Sequence, residues 1–113
     1  MAITYLRSDA LPRDVISRDF VGEDHGGVGA CVLFVDAAAG DGPKLHRHPY
    51  VEILIVVEGV STFHDGQTSR EVRAGEMAVV DANQPHGFIN PGPGTLRQID
   101  IHLSPKFETE WLA

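Results

Sequence analysis

The chain is 113 residues long, with nine Lys and Arg against sixteen Asp and Glu, a net charge of -7 and one cysteine. This length supports a single domain, residues 1–113, with a modest but self-sufficient core. The acidic balance without a basic cluster excludes a nucleic-acid partner, the lone cysteine excludes a disulfide framework, and no stretch approaches the ~20 apolar residues of a membrane span.

The opening stretch MAITYLRSDALPRD lacks the uninterrupted apolar run of a secretion signal, so a cytoplasmic location is expected. Turn signals then recur at short intervals, among them Gly26-Gly27, Gly40-Asp41-Gly42-Pro43, Asp65-Gly66, Gln84-Pro85 and Asn90-Pro91-Gly92-Pro93-Gly94. The segments between them are too short for globular helices and rich in Val, Ile, Phe and Thr, which is the pattern of an all-β sandwich or barrel.

The first two dozen residues are expected to add an edge strand. A strand over Gly29 to Ala37 follows, in which Cys31 reads as a small apolar core residue. Lys44 to His48 leads into Val51 to Glu58, whose run Ile53-Leu54-Ile55-Val56-Val57 lacks the alternation of a strand with one wet face. Both faces of that run should be covered, one by the barrel interior and the other by a second sheet or subunit, so a homodimer is expected. Val60 to His64 and Thr68 to Arg73 form a hairpin about Asp65-Gly66, where both residues tolerate positive φ. Met77 to Asp81, Gly87 to Asn90 and Thr95 to Leu103 complete eight or nine short antiparallel strands, enough for a small closed barrel or jelly roll.

The chemistry concentrates where Lys44 to His48 meets Val51 to Glu58. Residues i and i+2 of a strand share a face, so His46 and His48 project their imidazoles side by side and can grip one divalent ion. Glu52 has the same parity, yet straight strand would carry it ~13 Å beyond His48, too far for a shared ion with ligand bonds of ~2 Å. The chain must bend, and Pro49, which donates no ladder hydrogen bond, supplies a corner. His86, after Gln84-Pro85 at a loop-to-strand junction, is the candidate fourth ligand.

These residues resemble a known family. Gly40, five residues, His46, one, His48, three, Glu52, six, Gly59 is similar in every position and spacing to the first motif of the cupins. Gly75, ten residues, His86, three, Asn90 resembles the second motif in its outer positions, with Asp81 and Asn83 standing where Pro and Gly are usual. The resemblance spans roughly residues 25 to 105, with a short connection over 60 to 74 like that of small bacterial single-domain cupins. It implies an all-β double-stranded β-helix, a jelly-roll cupin barrel, that often dimerises. It also implies one divalent ion (Mn, Fe, Ni, Zn, Co or Cu) held by His46, His48, Glu52 and His86.

Elsewhere, Gln98-Ile99-Asp100-Ile101-His102-Leu103 alternates cleanly. Asp100 and His102 would be acid/base or ligand-supporting groups if the polar face lined the barrel; because the apolar face needs a core, they are read as facing solvent. Tyr50 is read as packing at the barrel rim, and His25 and His64 as exposed turn residues. Phe107 and Trp111, at i, i+4 spacing, should fold back onto the barrel or a partner, with a short helical turn there possible. Three functions compete: a metal-dependent dioxygenase, isomerase or lyase acting on a small polar metabolite; a non-catalytic sensory or storage module; and a relic scaffold. The complete ligand set favours the first, and neither reaction nor substrate follows from the fold.

Overall fold

The computed structural model describes residues 2–113 and is built from ten antiparallel strands. They are β1 (Ser17–Val21), β2 (Cys31–Ala37), β3 (His46–Arg47), β4 (Glu52–Glu58), β5 (Val60–His64), β6 (Ser69–Arg73), β7 (Met77–Val80), β8 (Gly87–Ile89), β9 (Leu96–His102) and β10 (Glu110–Trp111). Two short 3-10 turns, Ser8–Ala10 and Gly22–His25, are the only helical segments among the described residues. No helix there is long and apolar enough to cross a membrane.

One sheet runs β1-β2-β9-β4-β7 and faces a second made of β6-β5-β8, which the His46–His86 bridge links to the β10-β3 pair. This is the double-sheet jelly roll expected of the chain, with β1 as the expected edge strand. The core is the inward row of the facing strands: Cys31, Leu33 and Val35 of β2, Leu54 and Val56 of β4, Val72 of β6, Phe88 of β8 and Leu96 of β9. Cys31 is fully buried, as a small apolar residue should be.

Local chemistry explains the turns. In the β5–β6 hairpin Asp65 accepts the backbone N–H of Gln67 at 2.8 Å and of Thr68 at 2.7 Å through one carboxylate oxygen, while Gly66 takes φ 95°. Gly42 in the Gly-Asp-Gly-Pro turn passes against the Phe88 carbonyl so closely that a Cβ has no room.

Three expectations change. The strand over Lys44 to His48 shrinks to His46–Arg47, because the following Pro49 ends the ladder. The C-terminal stretch forms no helical turn: Glu110 and Trp111 pair with Arg47 and His46 as β10. Backbone hydrogen bonds to the exposed edge of β3 outweigh a single turn's i, i+4 contact there. The run Ile53 to Val57 is covered on one face only: Leu54 and Val56 are buried, Ile53 and Ile55 half-buried and Val57 54% exposed. Its outer face is left open in the isolated chain.

Candidate metal centre

Backbone pairing brings the four residues together. His46 in β3 faces His86 just before β8, and each donates its N–H to the other's carbonyl at 2.9 Å. The chain leaves the strand at His48 and rejoins a ladder at Glu52, so the bend expected at Pro49 is present. Asn83 donates its N–H to the His48 carbonyl at 2.7 Å and takes φ 67°, the left-handed backbone that Asn tolerates, so the turn before His86 is made without the usual Gly. Glu52 opens β4 and lies opposite His102 of β9.

The side chains of His46, His48, Glu52 and His86 are all buried, and one ligand atom from each lies within 4.8 Å of the others. His86 Nε2 is 2.9 Å and His48 Nε2 3.3 Å from Glu52 Oε1. Adjacent ligands on an ion with bonds of ~2.1 Å are about 3 Å apart, so these spacings suit a metal ion. Each imidazole is held through its other nitrogen: Nδ1–H of His46 donates to the Lys44 carbonyl at 2.7 Å, that of His48 to the Glu108 carbonyl at 2.7 Å and that of His86 to the Gln84 carbonyl at 2.8 Å. Carbonyls only accept, so every Nδ1 carries a proton and every neutral ring aims the Nε2 lone pair inward.

With all three rings neutral, their lone pairs and the carboxylate oxygen would repel each other unless a positive charge lay among them; without an ion, a proton on His86 Nε2, donated to Glu52 Oε1 at 2.9 Å, supplies part of that charge. His48 Nε2 is buried without a hydrogen-bond partner, an orphan that a cation would satisfy. Burial, the largest influence, pulls the His46 pKa down to about 4, against the Lys44 carbonyl that holds it up, so this ring is a neutral donor at pH 7. For His86 burial also pulls down, but the Glu52 carboxylate and the Gln84 carbonyl outweigh it and the pKa ends above its ordinary value. Glu52 is 3% exposed, and burial would raise its pKa; the imidazoles of His102, His48 and His86, all facing its carboxylate, overcome that and hold it well below the carboxylate range. The cluster therefore offers one anion and imidazole nitrogens with borderline-soft character, a donor set that suits a divalent transition ion.

The reading of β9 is overturned. Gln98, Asp100 and His102 point inward and are buried, while Ile99 and Ile101 lie on the outer face and Arg97 is exposed. The register decides it: His102 is paired with Glu52 on one side and Cys31 on the other, so it shares their inward face. His102 Nε2 sits 3.1 Å from Glu52 Oε2, and its Nδ1 is 2.7 Å from the Tyr50 hydroxyl. A carboxylate only accepts, so His102 serves Glu52 as a donor in the tautomer that carries its proton on Nε2, with Nδ1 then accepting from the Tyr50 hydroxyl, which also lies 3.3 Å from the Glu108 carbonyl. Tyr50 thus does more than pack at the rim, although its ring also stacks on His48 at 5.2 Å. His25 and His64 are outside the cluster and are half-buried, not exposed, His25 stacking on Phe20 at 4.3 Å. Sequence reasoning missed the Lys44, Gln84 and Glu108 carbonyls, which have no residue signature; Tyr50, two residues from His48, was the visible signal.

The cluster opens on a cavity of about 520 Å³ walled by Leu33, Val35, Leu54 and Phe88 and reached by Asp100. The C-terminal segment folds back over it as expected, with the Trp111 ring 5.1 Å from His46 and that of Phe107 4.8 Å from His102.

Residues 33–102 match the family described as "Cupin domain". No curated protein matches the chain. Among solved structures, oxalate oxidase is 26% identical with a TM-score of 0.66 over 75% of this chain and 47% of its own, so the chain spans about half of that protein's length. A cupin-like protein from Thermotoga maritima is 25% identical with a TM-score of 0.74, over 85% of this chain and 74% of that one. The polyketide cyclase RemF from Streptomyces resistomycificus superposes with a TM-score of 0.80 over 99% of this chain and 87% of its own at 15% identity, a likeness of fold alone.

Proposed function

The chain belongs to the cupin-domain family, and from that premise we propose that it is a single-domain, metal-dependent enzyme acting on a small molecule, with His46, His48, Glu52 and His86 as the ligands of one divalent ion. The orphaned His48 Nε2 among three inward-aimed donors carries this reading. A bound ion would supply Lewis acidity, an activated water or a redox centre. The chain's own part is to hold three imidazoles in one tautomer, to keep Glu52 ionised, and to bring polar groups that are not ligands, His102 and Asp100, to the cavity. Those extra groups favour an enzyme of the dioxygenase, isomerase or lyase type over the non-catalytic binding module. Elemental analysis of protein made in unsupplemented medium, beside His48→Ala and His86→Ala, tests it: the wild type should hold about one ion per chain, and unchanged metal content in both variants would end the reading.

The pKa directions add a second expectation. In metal-free protein His86 keeps its proton above the ordinary imidazole value, and an ion can bind only by displacing it. Metal loading should therefore release a proton at pH values below the raised His86 pKa and progressively less of one as pH climbs through it, with affinity falling as pH drops. His46, already neutral, contributes none. Calorimetry in two buffers of different ionisation enthalpy measures this; a release that did not vary with pH would contradict it.

The open face of β4 supports a homodimer. Ile53, Ile55 and Val57 continue into Met77 and Val79 of β7, which are 54% and 63% exposed, and into Ile101 of β9. A contiguous apolar face of this kind marks an interface. Val79→Lys should shift the sedimentation coefficient from dimer to monomer at micromolar concentration, and a wild type that sediments as a monomer would remove the dimer.

A further inference from the structure

We infer that the cavity takes a compact, mainly apolar molecule with at most one negative charge and an oxygen function at one end, not a small dianion. The inference rests on the metal-site reading and is argued from the walls. Beyond the cluster these are Leu33, Val35, Leu54 and Phe88 inside and Phe107 and Trp111 at the mouth. The charged side chains besides Glu52 are Asp14, Asp41 and Asp100 against one cation, Lys44, which is exposed at the rim.

Charge balance does the rest. Glu52 ionised, with three neutral imidazoles, leaves a divalent ion with one net positive charge. A singly charged oxygen ligand neutralises it. A dianion would leave a net negative charge among apolar side chains with no buried cation to pair with, which is costly. Asp100 sharpens the selection. It lies two residues inward from His102, ~6.7 Å along the strand, opposite Leu33 and Leu54, and is 3% exposed with Oδ1 accepting from Gln98 Nε2 at 2.7 Å. Burial first, then the nearby Glu52 charge, push its pKa well above the carboxylate range. Burial and the Glu52 charge favour its protonated form, which can donate a hydrogen bond to a carbonyl or hydroxyl oxygen, and in either form it offers an anion no cation. The volume, about 520 Å³, is that of an ordinary small-molecule site and far exceeds what a two-carbon dicarboxylate fills.

The test uses two probes on metal-loaded protein: tropolone, an apolar ring with one charge and two adjacent oxygens, and oxalate. Each affinity, measured by calorimetry and by the fluorescence of Trp111, is divided by the same probe's affinity for the aqueous ion. The ratio for tropolone should exceed that for oxalate by about tenfold or more, reflecting the apolar wall. Phe107→Ser, at a 40% exposed position, should lower the tropolone ratio about threefold and leave oxalate unmoved. Equal ratios, or preference for oxalate, would overturn the inference. So would a large gain in tropolone binding in Asp100→Asn, since that gain requires Asp100 to have been charged. Metal content is checked after titration. If the protein holds none, the metal reading fails separately, and the same fluorescence titration of the metal-free chain still decides which probe the walls prefer.

Discussion

His48→Ala is expected to cost the protein its metal. Apparent binding free energies of about 12 kcal/mol for a four-ligand ion share out at roughly 3 kcal/mol per ligand, about 150-fold in affinity. His48 is the sharpest choice because its Nε2 has no hydrogen-bond partner in the metal-free arrangement. Removing it deletes an unsatisfied buried polar atom along with a buried ring. The gain from the first offsets part of the cavity cost of the second, so the metal-free variant should stay folded with a melting temperature lowered by only a few degrees. The loss then appears in the metal-dependent part of stability: at equal ion concentration the melting temperature of the wild type should rise further than that of the variant, by the equivalent of about 3 kcal/mol once the ion is in excess of both dissociation constants. Competition with a chromophoric chelator measures the affinity directly. A His48→Ala protein that still takes up stoichiometric metal within about threefold of wild-type affinity would refute the ligand assignment.

His102→Ala is expected to be the most damaging change outside the four ligands. Glu52 is buried with both oxygens engaged, Oε1 towards His86 and His48 and Oε2 towards His102. Without His102, the second oxygen loses the partner that keeps it from turning inward and competing for the same point. Supporting partners of this type are worth about 10–100-fold in metal affinity. The metal-free protein should also lose about 1–3 kcal/mol, because a buried carboxylate is left with one donor fewer. His102→Gln separates positioning from bulk. Its side-chain amide can still donate towards Oε2, and it should recover affinity to within about fivefold of wild type. If Gln is as poor as Ala, His102 acts by packing or as a ligand in its own right, and the positioning role is wrong. Tyr50→Phe should fall between: the His102 ring stays in place, but its Nδ1 loses the hydroxyl at 2.7 Å that selects the tautomer. The cobalt-loaded protein's visible spectrum offers a readout independent of affinity, since a change in how Glu52 coordinates alters its intensity.

Much of this site could be read from the chain because the metal cluster is nearly local. His46, His48 and Glu52 fall within seven residues, and strand parity together with one proline dictates that they share a face across a corner. His86 was legible through its spacing from Gly75 and through the resemblance, and its backbone pairing with His46 is the physical counterpart of that spacing. The strands were legible because Gly, Pro and Asx residues punctuate Val- and Ile-rich runs so regularly.

Local pattern also determined that β9 alternates, but not which of its faces is inside. Asp100 and His102 were read outward because an apolar row normally seeks the core. Here the inward row is polar because it leads to the cluster, and the apolar row lies with Ile53 and Ile55 on the open outer sheet face. Period two is the same for either orientation, so only the long-range register, Glu52 against His102 against Cys31, could choose. The same holds for the carbonyls of Lys44, Gln84 and Glu108 that set the histidine tautomers, since every residue has a carbonyl and only the folded path says which one meets a ring. Composition and spacing thus determined most of the strands, though not β10, and the four metal-site candidates, whereas tertiary structure alone decided what supports Glu52, what lines the cavity and which apolar face is left open. The first depend on neighbours along the chain, and the second on pairings between segments as far apart as β2 and β9.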